Sequence, residues 1–357
     1  MPNGFQHVLL LDTKKNRSNA GPKARLDTAH FLRESGFAVQ QVPTSRSKYW
    51  RRLIAFFLSH ARLRFQPTDV LWCQFPPELP TRAVLEKAQR RNIPTVAFVH
   101  DLEGLRSDPP RPDLIEKEAR ELQRFTHVLS LNDTVSELLQ RHGLKPTAAL
   151  NCWDYFCPAW QDPSPTPSPI PSATSAAPRP QFLPPRLVYA GNLSPGKSGF
   201  IYRLGEVPGL SFELYGAGLE EGFGEQANIR YRGTFSPDHP PFQADGAFGL
   251  VWDGATLDTC SGDYGAYLQF NTPHKASLYL SQGLPVVVWH QACIAPLIAA
   301  HGAGILVSSL HELEAVFARL SQAEYEKMCE GAGQLGQKIR GGHFIKTAAA
   351  KIQAAFV

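Results

Sequence analysis

The sequence predicts an α/β protein of two doubly wound domains in series, and three observations carry that expectation. The chain has 357 residues, 43% of them hydrophobic, which is enough for two separate cores. Short apolar runs alternate with helical periods in both halves, the pattern of parallel sheets covered by helices. Between the halves, "PAWQDPSPTPSPIPSATSAAPRPQFLPP", Pro158 to Pro185, has no periodicity and too little apolar content to fold, so it reads as a semi-extended linker.

The first domain, 1–157, opens with the strand "HVLLLD" and the helix "ARLDTAHFLRESG", closed by Gly36, followed by the strand "FAVQQV". A basic helix comes next, then "DVLWCQF", "TRAVLEKAQRRN", "PTVAFVHD", "LIEKEARELQRF", "HVLSLN", "DTVSELLQRHG" and "TAALN". Strand runs are short and β-branched, and helices end on stop signals. The second domain, 186–340, repeats the alternation through "RLVYAG", "LSFELYG", "NIRYRG", "AFGLVWD", a helix from Thr272, "LPVVVWH", "CIAPLIAAHG", "GILVSS" and "LHELEAVFARL". Residues 341–357 form a last helix able to pack back on the first domain. The expected architecture is two Rossmann-like domains facing a cleft.

Composition removes several function classes. A net charge of +4 is too small for a nucleic-acid-binding face. No run approaches the roughly 20 apolar residues of a membrane span, and the opening "MPNGFQHVLLLD" lacks the features of a cleavable signal, so a cytoplasmic location is expected. The six cysteines show no CxxC pair or metal-finger spacing and read as reduced core thiols. The helix "KYWRRLIAFFLSHARLRF", Lys48 to Phe65, mixes Leu53, Phe56, Phe57 and Leu63 with Arg51, Arg52, Arg62 and Arg64. The favoured reading is an amphipathic helix with its apolar side in the core and a solvated basic edge. The sharper one is a surface for anionic lipid or a lipid-linked acceptor.

In "FNTPHKASLYLSQGLPVV", Phe270 to Val287, Thr272 suits the N-cap, Pro273 the first helical position, and Gly283 the C′ position. Lys275 then falls in the first turn, where a cation opposes the helix dipole unless an anion is present. Backbone N–H groups and the ammonium can meet on one diphosphate. The alternative is a lysine bent back into solvent. Upstream, Asp253 follows an apolar strand and starts a long loop at the carboxyl edge of the sheet, where ligands of such folds bind.

"GNLSPGKS", Gly191 to Ser198, satisfies the P-loop pattern, which admits a P-loop ATPase or kinase using Lys197 and Asp253. Pro195 removes an N–H from the loop, and "GFIYRLGEVPG" is a poor helix, so a Gly-rich turn at the cleft is the preferred reading.

These residues also carry a resemblance. "YAGNLSPGKSGF", "FGLVWDG", "CSGDYGAYLQFNTPHKASLYLSQGLPVVVW", "NRSNAGPKA" and "VAFVHDLEGLR" resemble the bacterial GT-B glycosyltransferases grouped with the β-1,6-galactofuranosyltransferases of O-antigen assembly. That group includes the streptococcal glucosyltransferase acting on O-linked GlcNAc of adhesins. The resemblance spans nearly all of the chain except the linker. It implies transfer of a hexose, galactofuranose or glucose, from a UDP-sugar donor, with no metal and no bound cofactor, to a glycan, lipid-linked glycan or glycoprotein. Lys275, Asn271 and Thr272 would hold the diphosphate. Asp253, Tyr267 and Leu268 would lie near the nucleoside, and the turn from Asn192 to Lys197 would face the cleft. Family β linkages made from α-linked donors imply inversion. An inverting transfer needs a base, and His100 and Asp101, ending the strand "TVAFVHD", are the candidates, with a strand-end cap as their plain alternative. The loop "KKNRSNAGPKA" offers Asn19, Gly21 and Lys23 for donor or acceptor, against an ordinary solvated loop. A non-catalytic sugar-nucleotide-binding module would keep Lys275 without a working base. Contact with the inner membrane face through Lys48 to Phe65, and an oligomer, are compatible with the sequence.

Overall fold

The computed structural model describes residues 5–12, 20–60, 65–158, 185–223, 226–242 and 245–356. The chain divides into two compact units, one of Met1–Leu105, Arg111–Asp154 and Gly342–Val357, the other of Arg106–Pro110 and Tyr155–Gly341. The proposed linker lies outside the described residues except at its ends.

In the first unit the order is β1 (Gln6–Leu11), α1 (Ala20–Glu34), β2 (Ala38–Gln41), α2 (Lys48–His60), β3 (Asp69–Phe75), α3 (Leu79–Gln89), β4 (Thr95–Val99), α4 (Pro112–Leu122), β5 (His127–Ser130), α5 (Asp133–Arg141) and β6 (Ala148–Ala149). The sheet runs β2-β1-β3-β4-β5-β6, and all its pairings are parallel. β3 and β4 are buried at every position, which explains why most of their residues are apolar on both faces: both sheet faces are covered.

In α2 the favoured sequence reading is overturned. Ala55 is buried and Leu58 packs on the core of β1, β3 and α3, whereas Phe56 and Phe57 are exposed. The inner side is fixed instead by polar links, Arg51 to Glu78 at 2.8 Å and Lys87 to the Ser59 carbonyl at 2.9 Å. Residues 61–64, with Arg62, Leu63 and Arg64, lie outside the described residues.

The second unit comprises β7 (Arg186–Ala190), α6 (Pro195–Ser198), β8 (Ser211–Tyr215), β9 (Ile229–Tyr231), β10 (Ala247–Val251), α7 (Gly262–Ala266), α8 (His274–Ser281), β11 (Val286–Trp289), α9 (Ala295–His301), β12 (Gly304–Val307), α10 (Leu313–Arg319) and α11 (Gln322–Arg340). Its parallel sheet runs β12-β11-β10-β7-β8-β9. The last helix, α12 (His343–Ala354), belongs to the first unit and packs on α1, β5 and β6. The Asp154 carboxylate caps it, accepting the Phe344 and Ile345 N–H groups at 3.3 and 2.7 Å, a favourable charge at a helix N-terminus. Burial pushes the Asp154 pKa well up, against those two hydrogen bonds.

All six cysteines are free thiols. Helix α8 starts one residue later than expected: Pro273 is the N-cap, with extended backbone, and Thr272 instead lies with its hydroxyl 3.8 Å from the Cys293 sulfur. The helix ends as expected, on Gly283 at φ 76°. The N–H of Gly283 bonds Leu280 O and that of Leu284 bonds Tyr279 O, the Schellman pattern.

The neighbouring Tyr279 decides how α8 meets the sheet. A Cβ on Gly249 of β10 would stand 2.2 Å from its ring, and its hydroxyl accepts the Ala190 N–H at 2.7 Å. We expect Gly249→Ala to destabilise by about 1–3 kcal/mol through overpacking, read as a lowered urea midpoint. An unchanged midpoint would show that Tyr279 does not fix this contact.

Candidate active site

The second sheet reverses its winding between β7 and β10: chain order runs outward through β8 and β9 on one side and through β11 and β12 on the other. Ligands of open parallel sheets bind beyond the carboxyl ends of strands at such a point. Three side chains meet there. Tyr189 comes from the end of β7, Asp253 from just after β10, and Lys275 from the first turn of α8.

Lys275 is mostly enclosed, with its side chain 10% exposed, and its ammonium donates to Asp253 Oδ1 at 2.8 Å, the Trp252 carbonyl at 3.0 Å and the Tyr189 hydroxyl at 3.1 Å. These account for all three of its hydrogens. The Nζ also stands 4.4 Å from the Tyr189 ring centroid, a cation–π contact. Burial lowers the Lys275 pKa, the Asp253 charge opposes that shift, and the Lys197 charge adds to it. Two cations are therefore drawn to one place, and one of them is neutralised by a carboxylate within the protein.

Tyr189 ties this centre to the Gly191–Ser198 turn. Its hydroxyl lies 2.9 Å from Asp253 Oδ1 and 2.5 Å from Ser198 Oγ, and Ser198 donates to the Asn192 carbonyl at 2.7 Å. Burial and the Asp253 charge hold the phenol pKa well above its ordinary value, so Tyr189 stays protonated. The Gly254 N–H donates to the Lys197 carbonyl at 3.0 Å, linking the turn to the loop after β10. The P-loop alternative is corrected here. α6 has four residues and gives way to 3₁₀ turns over Gly199–Glu206, so no crossover helix follows the glycine-rich turn. The Ser198 hydroxyl is turned inward.

Lys197 is half-buried, with its Nζ 5.4 Å from the Tyr264 ring centroid, and it pairs with no carboxylate among the described residues. Asn192 is exposed and its Oδ1 accepts the Ser194 N–H at 2.9 Å. Asn271 is half-buried and donates its N–H to the Tyr267 carbonyl at 2.8 Å. The Tyr267 and Leu268 side chains are buried, and the Leu268 carbonyl accepts the Cys293 N–H.

One segment escapes any reading of the sequence by halves. Arg106–Pro110 stands in the text of the first domain yet belongs to the second unit. Asp108 donates its N–H to the Asp263 carboxylate at 2.9 Å and accepts the Gly262 N–H at 3.1 Å. The Arg106 guanidinium stands 6.0 Å from the Tyr267 ring centroid. Its only sequence signal is the acidic and basic loop after "VAFVHD".

The remaining candidates lie in the first unit. His100 follows β4 and rests its ring 4.6 Å from Trp153 and 5.1 Å from Phe98. Asp101 is half-buried beside it, and its charge helps burial to raise the Glu118 pKa. Glu118 in turn accepts the Glu103 and Gly104 N–H groups at 2.8 and 3.0 Å, fixing the turn after Asp101. Gly21 and Lys23 lie within α1 rather than in a loop. Lys23 is buried, 2.6 Å from the Asp27 carboxylate. Asn19 lies outside the described residues.

Comparison with known proteins finds one family over both halves of the chain. The N-terminal domain of the Glucosyltransferase 3-like family matches residues 7–151, and the C-terminal domain of that family matches residues 187–352. The chain is similar to the β-1,6-galactofuranosyltransferase WbbI of Escherichia coli K12, 29% identical over 94% of this chain and 95% of that protein. It is also similar to Glucosyltransferase 3 of Streptococcus gordonii, 30% identical over 47% of this chain and 48% of that one. Among solved structures, a sucrose-phosphate synthase from Thermosynechococcus elongatus superposes with a TM-score of 0.64 at 11% identity, covering 98% of each chain. A glycosyltransferase from Rickettsia africae gives 0.61 at 10% identity over 99% of each chain.

Proposed function

Because the chain belongs to the Glucosyltransferase 3-like family, in the GT-B fold, we propose that its second unit holds the donor at the β7/β10 switch point. The chain is a glycosyltransferase that moves a hexose from a UDP-sugar. Galactofuranose is the preferred sugar and glucose the second, following the relative matched over nearly its whole length. The acceptor is a glycan, a lipid-linked glycan or a glycoprotein, and the reaction inverts the anomeric centre. The enzyme works in the cytoplasm at the inner face of the membrane.

The convergence of Tyr189, Asp253 and Lys275, with Lys197 close enough to depress the Lys275 pKa, carries this reading. In the transfer, Asp101 takes the proton of the acceptor hydroxyl, whose oxygen forms the new bond to the anomeric carbon. The bond from that carbon to the β-phosphate oxygen breaks, and UDP departs with the electron pair. Positive charge fixed in advance at that oxygen lowers the barrier. Lys197 and the first N–H groups of α8 supply it, and Lys275 adds its charge when its ammonium turns from Asp253 to the diphosphate. Asp253 holds Lys275 in place between turnovers, and Asn271 and Thr272 shape the entry to α8. Tyr267 and Leu268 set the floor beside the nucleoside, and Asn192 fixes the turn that bears Lys197. His100 positions Asp101 through its packing on Trp153.

Thermal unfolding with a panel of UDP-sugars tests the donor, since a ligand of the native state raises the midpoint. UDP-galactofuranose or UDP-glucose should raise it and ATP should not. Protection by ATP alone would restore the P-loop reading. Because lysines supply the charge and the sequence has no DxD triplet, transfer should survive EDTA. Its loss, with recovery on adding Mg²⁺ or Mn²⁺, would show that a metal neutralises the diphosphate.

A further inference from the structure

The geometry points to the outer face of α2 as a docking surface for an anionic lipid bilayer. This rests on the proposed location at the membrane and is independent of the transfer chemistry. At 3.6 residues per turn, Tyr49, Leu53, Phe56 and His60 fall on one side of α2, flanked by Trp50 and Phe57. That side faces outward. Tyr49, Trp50, Phe56 and Phe57 are 69, 54, 58 and 62% exposed, the four most exposed large apolar side chains among the described residues. They form contiguous pairs: Tyr49 and Trp50 have ring centroids 5.8 Å apart, Phe56 and Phe57 5.9 Å, and Phe56 and His60 4.4 Å.

The helix cannot hide these rings by rolling, because Ala55, Leu58 and the Arg51–Glu78 pair hold its other side. Scattered exposed apolar residues need no explanation, but a contiguous cluster on one helix marks an interaction surface. Charge selects the partner. No Asp or Glu occurs between Glu34 and Asp69, a stretch with six Lys or Arg, and Arg46, Lys48 and Arg52 are exposed along it. Aromatic rings on one side with an exclusively basic flank is the composition of helices that lie in the plane of an anionic membrane surface. Trp and Tyr suit the headgroup level and the two Phe rings the acyl boundary. A helix of 13 residues would lay about 20 Å of contact along the lipid.

Flotation of the full chain with vesicles tests this directly. The protein should float with phosphatidylcholine vesicles containing phosphatidylglycerol and stay behind with phosphatidylcholine alone, and added salt should weaken the binding. Phe56→Ser with Phe57→Ser, and separately Lys48→Glu with Arg52→Glu, should each lower the vesicle affinity at least tenfold. Both variants should keep the wild-type melting midpoint and its rise with UDP, which separates this inference from the enzymatic one. Absence of flotation by the wild type, or flotation of the double Phe variant like wild type, would overturn it. So would a lipid-free dimer abolished by the Phe substitutions, which would give the face to a second copy of the chain.

Discussion

Lys275→Ala should be the most damaging single substitution in the second unit, lowering the unfolding free energy by about 3–5 kcal/mol as well as greatly weakening UDP binding. Deleting one partner of a buried ion pair leaves the other charge without compensation, and Asp253 is buried with Tyr189 as its other close partner. Urea denaturation measures the loss. Lys197→Ala is the control, because that lysine is half-buried and makes no ion pair among the described residues. Its stability should change by about 0.5 kcal/mol or less, while UDP affinity falls through loss of a cation near the diphosphate. Equal stability for both variants would show that the Asp253 pair does not hold the loop after β10.

The second large effect is on turnover. Asp101→Asn should lower kcat by about 10²–10⁴-fold, the usual contribution of a general base, with UDP affinity near the wild-type value, because the residues proposed to hold the donor lie in the other unit. A matched fall in kcat and kcat/KM is the signature of an interaction made only in the transition state. His100→Ala should act more mildly, through loss of packing on Trp153. Near-normal turnover of Asp101→Asn would return Asp101 to a strand-end cap.

Much of the fold was legible because parallel strands covered on both faces must be mostly apolar, as in "DVLWCQF" and "AFGLVWD", and helices announce their ends, as Gly283 does for α8. The switch point was legible in part. Asp253 and Lys275 stand out by position, one after an apolar strand and one in a first turn. Their pairing did not stand out, because nothing in the spacing says that the lysine turns back onto the strand instead of outward. Tyr189 was hidden as an ordinary strand residue, and Ser198 was read through a motif that it completes by letter only. The orientation of α2 was misread for a related reason: periodicity locates an apolar stripe but not which side it faces, and here a salt bridge and two small contacts fix the roll of the helix. Arg106 and Asp108 show a further limit, since a short segment can belong to a unit that its sequence neighbours do not.

Titration calorimetry of UDP against the paired variant Asp253→Asn with Lys275→Met tests the central claim most directly. Replacing both charges removes the unpaired group, so this variant should recover most of the stability lost in Lys275→Ala. It should nonetheless bind UDP far more weakly than the wild type, since one of the two cations proposed for the diphosphate is gone. A stable paired variant that binds UDP as the wild type does would contradict the account and reduce Lys275 to a structural lysine.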